Sequence, residues 1–278
     1  MLSSPGVIEE STVEVEGVRT FFRRVPGDGV PTVFVHGNPT NSHDWVPFLE
    51  RVEGPAFAPD LPGWGRSEHP EPERFDGSMH GLATFIDRFL AAVGIDQHNL
   101  VVHDWGVVAL ISAQRHPEQV RRLAIINVVP LLPGYRWHWV ARLWRRRCVG
   151  EFVNATSTRA GFALGMRQAR ADRGPMPSEL IDSIWDTWDA GTRRAILELY
   201  RSAPEDALGP AGSRLGELRC PVLVAWGTAD PYLPAKFARE LVRVLPDAEL
   251  YELDDAGHWP WIEQPELVDR VLEFLDQG

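Results

Sequence analysis

Apolar and polar residues alternate over residues 11–18, with Val13, Val15 and Val18 in phase, and Phe21 and Phe22 lie in the stretch that follows. A period of two marks a half-buried strand. The pattern predicts an antiparallel opening hairpin of Ser11–Val18 with Arg19–Val25. Further on the pattern changes to short, largely apolar runs at Thr32–Val35, Ala56–Pro59, Asn99–His103, Arg122–Ile126, Val222–Trp226 and Glu249–Leu253. Such runs suit strands buried on both faces. Between them the spacing is helical. Leu82, Phe85, Ile86, Phe89, Leu90 and Val93 make one apolar face. Phe237, Leu241, Val242 and Leu245 make a second, and Leu267, Val268, Val271, Leu272 and Leu275 a third. Strand and helix in alternation predict an α/β fold, a mostly parallel central sheet flanked by helices on both faces.

The alternation breaks over residues 129–217, which hold no strand candidate but five tryptophans, Trp137, Trp139, Trp144, Trp185 and Trp188. Pro177-Ser-Glu opens a helix with Leu180, Ile181, Ile184, Trp185 and Trp188 on one face, and another helix is expected near Thr192–Arg201. A helical insertion after one strand of such a sheet belongs over the carboxyl ends of the strands, where open α/β folds bind ligands. The expected organisation is a core in two parts, 1–128 and 218–278, with a helical cap at 129–217.

Composition narrows the function. With 44% apolar and 24% charged residues in 278, an ordered core is expected. Acids outnumber bases 39 to 28, for a net charge of −11, which is the wrong balance for a general nucleic-acid binder. Arg145-Arg-Arg147 is read as a solvated helix face. Cys148 and Cys220 make no disulfide framework or zinc pattern. Met1-Leu-Ser-Ser-Pro-Gly6 lacks the order of a secretory signal, and no apolar run reaches 18 residues. A cytoplasmic location without metal, cofactor or membrane contact is expected.

Three polar residues stand at the carboxyl ends of predicted strands. Val101-Val-His-Asp104-Trp-Gly-Val107 joins a buried strand to a helix through a tight turn centred on Asp104. Cys220-Pro-Val-Leu-Val-Ala-Trp-Gly-Thr-Ala-Asp230 ends a strand in an acid. Asp255-Ala-Gly-His258-Trp-Pro follows one strand later. Each has a plain reading, Asp104 as a helix cap, Asp230 as a turn residue and His258 as a loop histidine. In that order, however, they match nucleophile, acid and histidine of a triad in which each member follows the carboxyl end of a strand. His36-Gly37-Asn38-Pro39 follows the strand Thr32–Val35, and Asp60-Leu-Pro-Gly-Trp-Gly-Arg-Ser67 is a second loop, read as structural.

The motifs HGNP, DLPGWGRS, VVHDWG, GTAD and GHWPWIEQP, in this order, resemble the α/β-hydrolase superfamily, and within it the aspartate-nucleophile branch of epoxide hydrolases and haloalkane dehalogenases. The resemblance covers both core segments, about two thirds of the chain. It departs from the family pattern at Val102, which stands where the first glycine of the nucleophile turn is usual. It implies an α/β-hydrolase fold with a cap, Asp104 as nucleophile, His258 as base and Asp230 as its partner. It implies an oxyanion hole from the backbone N–H groups of Asn38 and Trp105, and no cofactor.

A carboxylate is already charged at neutral pH, so it can displace a leaving group at saturated carbon and become an ester. His258 would then activate the water that hydrolyses it. The resemblance offers two leaving groups. In dehalogenases a halide is held by N–H donors at the positions of Asn38 and Trp105. In epoxide hydrolases the ring oxygen takes a proton from two lid tyrosines, for which Tyr200, in Leu197-Glu-Leu-Tyr200-Arg201, and Tyr135 are the candidates. The expectation is an epoxide hydrolase acting on a small hydrophobic substrate and water, with haloalkane dehalogenase and a non-catalytic binding member of the fold as alternatives.

Overall fold

The computed structural model describes residues 7–277. The opening Met1–Gly6, read above for a secretory signal, lies outside them. Eight strands form one sheet: β1 Glu9–Val15, β2 Val18–Val25, β3 Thr32–Val35, β4 Ala56–Pro59, β5 His98–Asp104, β6 Val120–Val128, β7 Val222–Gly227 and β8 Ala248–Leu253. Their spatial order is β1-β2-β4-β3-β5-β6-β7-β8. β2 runs antiparallel to both of its neighbours, and the remaining pairs are parallel.

Every expected strand is present, but the opening hairpin turns earlier than its alternation suggests. Glu16 and Gly17 have φ of 49° and 83°, and Val15 pairs with Val18 across them. Two left-handed residues in succession form the tight turn whose twist suits an antiparallel pair. The apolar phase hides this turn because Val15 and Val18 flank it and both are buried.

Three helices precede β6: α1 Val46–Leu49, α2 Met79–Ala92 and α3 Val108–Ala113. The segment between β6 and β7 contains α4 Trp139–Arg145, α5 Val149–Ala155, α6 Arg159–Met166, α7 Ser178–Trp185, α8 Ala190–Ser202 and α9 Glu205–Ala211. After β7 come α10 Lys236–Val244, α11 Pro260–Glu263 and α12 Glu266–Asp276. No helix among the described residues is long and apolar enough to cross a membrane.

The sheet separates two apolar layers. On one face Val33, Val35, Leu100, Val102, Leu123 and Ile125 pack with Phe85, Phe89, Leu110, Phe237 and Leu241. On the other, Phe34, Val101, Ala124, Ile126 and Leu223 pack with Phe48, Leu49, Val268, Val271 and Leu272. Successive strand residues thus enter opposite layers, which is why the central strands read as unbroken apolar runs. Each such side chain contributes roughly 1.5–3 kcal/mol by leaving water.

The Arg145–Arg147 run is not uniformly solvated. Arg146 and Arg147 are exposed, but the Arg145 guanidinium donates to the Ala203 carbonyl at 2.7 Å and to the Tyr200 carbonyl. The last carbonyls of a helix lack partners within it, and a cation at that end is favoured. Arg145 therefore ties α4 to the end of α8, the helix that bears Tyr200.

Candidate active site

β5 ends at Asp104, whose backbone has φ 48° and ψ −119°, and the chain turns at once into the 3-10 turn Trp105–Val107 and α3. A positive φ at a non-glycine residue costs on the order of 1–3 kcal/mol and persists only where the surroundings enforce it. Two glycines make the turn sterically possible. A Cβ on Gly106 would lie 2.0 Å from the Val35 carbonyl oxygen, and one on Gly37 would lie 2.4 Å from the Asp104 Cβ. Val102 has no such neighbour problem. It pairs with Val35 and points into the apolar layer, so a side chain fits where the motif usually has glycine.

Asp104 makes no side-chain cap to the following helix. Its Oδ2 accepts the Asn38 backbone N–H at 2.8 Å, and the Trp105 backbone N–H lies near enough to favour the charged carboxylate. Oδ1 faces His258 Nε2 at 3.9 Å. Burial pushes the Asp104 carboxyl up to about 6, while the His258 charge and the two N–H groups pull the other way. At pH 7 it is still mainly ionised.

Asp230 Oδ2 lies 2.7 Å from His258 Nδ1. Oδ1 of the same carboxylate accepts backbone N–H groups from Tyr232 at 2.7 Å and Leu233 at 3.1 Å. A fourth contact, Asn127, is not among the residues expected from the sequence. Its amide donates to Asp230 Oδ2 at 2.7 Å and accepts from the Gly227 N–H at 2.8 Å. Asn127 sits near the end of β6 with φ 37°, a left-handed conformation that asparagine tolerates better than most residues. The signal was a lone polar residue inside the apolar run Ile125-Ile-Asn127-Val-Val.

Burial alone would lower the His258 pKa, but the Asp230 charge and hydrogen bond, with Asp104 and Asp44 behind them, raise it above its ordinary value. The His258 backbone is anchored from two sides. Its carbonyl lies 2.8 Å from His103 Nε2, and its N–H donates to the Ala169 carbonyl of the cap segment at 2.8 Å.

The other flank of the Asp104 carboxylate is lined by donors. Trp64 Nε1 donates to Asn38 Oδ1 at 3.2 Å, which turns the Asn38 amide nitrogen toward the Tyr200 hydroxyl, 3.5 Å away. The loop Asp60–Ser67 thus does more than shape a rim. The Trp105 indole N–H lies beside the same hydroxyl and has no well-formed hydrogen bond of its own. Burial, then the nearby Asp104 charge, hold the Tyr200 phenol well above its ordinary pKa; the Trp105 and Asn38 N–H groups oppose them.

Tyr135, expected as a second tyrosine donor, is placed differently. Its ring packs edge-on against Trp137 and Phe237, and its hydroxyl donates to the Tyr232 carbonyl at 3.2 Å. It is absent from the wall of the cavity that contains Asp104. The segment after β6 turns it into the core, so its place in the chain was a poor guide to its direction.

That cavity has a volume of about 180 Å³, and its wall includes Asn38, Asp104, Tyr200 and His258 together with Trp139 and Trp144 of α4 and Phe162 and Met166 of α6. Tyr232 and His138 also line it. Neither stands out in the sequence, although Tyr232 follows Asp230 by only two positions. The wall is mainly apolar with a few convergent polar groups, the usual makeup of a small-molecule site.

A family model described as alpha/beta hydrolase fold matches residues 30–265. The chain is 28% identical to the cis-3-alkyl-4-alkyloxetan-2-one decarboxylase of Xanthomonas campestris pv. campestris, over 91% of this chain and 90% of that protein. In structure it resembles the haloalkane dehalogenase DbeA from Bradyrhizobium elkani USDA94, with TM-score 0.79 and 24% identity over 96% of both chains. It also resembles the epoxide hydrolase CorEH, with TM-score 0.81 and 20% identity over 96% of this chain and 98% of the other. The sheet order, the turn at Asp104 and the extent of the family match lead to one assignment: the chain belongs to the alpha/beta hydrolase fold family.

Proposed function

We propose that the protein is an epoxide hydrolase that works through a covalent ester on Asp104. One observation carries the reading: a carboxylate, rather than a hydroxyl, stands at the strained turn with Oδ2 held by the Asn38 N–H and Oδ1 facing the cavity beside His258. Oδ1 attacks a ring carbon and forms a C–O ester bond while the ring C–O bond breaks. The departing oxygen keeps the electron pair and takes the Tyr200 proton. That transfer is favourable even from a phenol of raised pKa, because an alkoxide is a much stronger base than a phenolate. His258 then removes a proton from water, and the hydroxide attacks the Asp104 carbonyl carbon. The Asn38 and Trp105 backbone N–H groups receive the charge that develops on Oδ2. Collapse frees Asp104 and a vicinal diol, and the proton on His258 returns through solvent to Tyr200.

A second reading is favoured by the side-chain donors. Asn38 Nδ2 and the unpartnered Trp105 Nε1 would receive a halide, which needs no proton, and this makes the protein a haloalkane dehalogenase with the same ester. A strained lactone ring, of the kind named for the Xanthomonas relative, exposes a similar carbon to attack. Intact-protein mass of His258→Gln after incubation with styrene oxide, 1-bromobutane and a β-lactone separates these readings. An adduct from styrene oxide that is lost in Asp104→Asn is the expected result. An adduct from the bromide alone means the second reading, and no adduct from any of the three means a binding protein.

A further inference from the structure

A net charge of −11 conceals an uneven distribution. Residues 136–173, which include α4, α5 and α6, hold nine arginines and two acids, a net of +7. The other 240 residues hold 19 bases and 37 acids, a net of −18. Within the basic stretch Arg159 pairs with Asp182 and Arg170 with Asp172, while Arg201, from outside it, neutralises Glu151. Arg136, Arg142, Arg146, Arg147, Arg167 and Arg173 are exposed and form no ion pair among the described residues.

The same helices carry most of the large apolar side chains that the fold leaves in water. Trp139, Phe152 and Leu164 are 55%, 69% and 67% exposed, and Val149 is 39% exposed; only Val7, Val30 and Val244 join them among the described residues. Trp139 and Arg142 are three apart on α4, Val149 and Phe152 on α5, and Leu164 and Arg167 at the end of α6. That spacing puts each pair on one side of its helix. The helices are tied together. The Trp144 indole of α4 donates to Asn154 of α5 at 2.8 Å, and the Trp139 indole donates to Gln168, just past α6, at 3.2 Å. Trp139 and Gly165 are both exposed and both line the cavity that contains Asp104. The basic and apolar surface therefore borders the cavity where it meets the outside.

We propose that this face rests on an anionic lipid bilayer, its arginines on the phosphates and Trp139, Phe152 and Leu164 in the headgroup region. Apolar side chains set among cations are what an interfacial surface requires. Arginine holds phosphate by a two-pronged contact, and each cation near an anionic membrane strengthens binding about fivefold. A second copy of the chain is the weaker occupant. A two-fold contact would set arginine against arginine, and a contact with the acidic surface elsewhere joins unlike faces and does not close into a dimer. The inference replaces the expectation of no membrane contact. That expectation rests on the lack of a spanning run, and lying against a bilayer requires none.

Co-sedimentation of the full chain with vesicles of phosphatidylglycerol and phosphatidylcholine in equal parts tests this. Binding is expected at about 0.02 M salt and should fall at least tenfold at about 0.5 M, where exposed charges are screened within a few ångströms. Vesicles of phosphatidylcholine alone should bind at least tenfold more weakly. Arg142→Gln with Arg147→Gln should weaken binding roughly 25-fold, two fivefold factors, and Phe152→Ser with Leu164→Ser about tenfold or more. All four positions are exposed, and circular dichroism identifies a variant that fails to fold; the lipid and salt dependence of the wild type tests the inference without any substitution. No binding to the anionic vesicles, equal binding to phosphatidylcholine alone, or wild-type binding by either folded double variant would overturn it. So would sedimentation velocity without vesicles that shows self-association lost in the same variants, which would assign the face to a second copy. No turnover is measured, so the result leaves the ester route untouched.

Discussion

His258 Nε2 lies 3.9 Å from Asp104 Oδ1, whereas its Nδ1 lies 2.7 Å from Asp230 Oδ2. The longer gap is outside hydrogen-bond range. The imidazole is thus held by Asp230 and leaves the Asp104 carboxylate without a bond to it. On the proposed ester route this makes base and nucleophile separate actors, and substitutions should separate their steps.

Asp230→Asn is expected to slow ester hydrolysis by roughly 10²–10⁴-fold, because an amide no longer selects the tautomer with a bare Nε2 or steadies the imidazolium. Formation of the ester should change little. Single-turnover mass spectrometry reads both steps; equal loss in the two would contradict the division of labour.

The two steps should also differ in pH dependence. Asp104 attacks only when ionised, so ester formation is expected to rise with pH and level off above about 6. Hydrolysis needs neutral His258; burial lowers its pKa but the Asp230 charge and hydrogen bond raise it, Asp104 being uncharged as an ester, so its rise lies at higher pH. Between the two limbs the ester should accumulate, which quenching at a series of pH values measures.

Asn127→Ala removes the amide from both Asp230 and the Gly227 N–H. A buried polar group left without its partner costs about 1–3 kcal/mol, and alanine is less at ease than asparagine at φ 37°. A lower melting temperature is expected together with slower hydrolysis. A stability loss with hydrolysis untouched would limit Asn127 to the fold.

Asp44, outside the cavity wall but within electrostatic reach of His258, offers a stability test. Its Oδ2 bonds to Thr40 and lies 3.4 Å from Trp259 Nε1, its Oδ1 has no partner, and burial pushes its carboxyl up to about 7. A raised carboxyl pKa favours the fold while the group keeps its proton, and that advantage is lost as pH rises from the unfolded value toward 7. Asp44→Asn should therefore gain melting temperature over the wild type progressively between pH 4 and 7, with the difference constant above. The gain is bounded by about 4 kcal/mol, three pKa units.

Much of this was legible in the chain because its signals were local and mutually consistent. Runs such as Thr32–Val35 could only be strands buried on both faces, and Asp104, Asp230 and His258 each follow one. What was hidden depends on direction rather than position. Tyr135 and Tyr200 look alike as lid tyrosines, but one hydroxyl meets a carbonyl and the other the cavity. Arg145 looks like its neighbours until the end of α8 supplies carbonyls for it. Trp64 and Asn127 act on residues 26 and 103 positions away, distances that no periodicity reports.

The bond from the His258 N–H to the Ala169 carbonyl has a consequence for traffic. Gly257 lies so close to Ala169 that a Cβ there would stand 2.1 Å from the carbonyl oxygen, and Glu263 accepts the Ala171 N–H at 2.9 Å. The strip around Ala169–Ala171 is therefore stitched to the loop carrying His258. Lifting it as a rigid flap would drag the imidazole off station. The Trp139 indole, on the cavity wall and largely exposed, instead donates to Gln168 at 3.2 Å, a contact between side chains that can part without moving that strip.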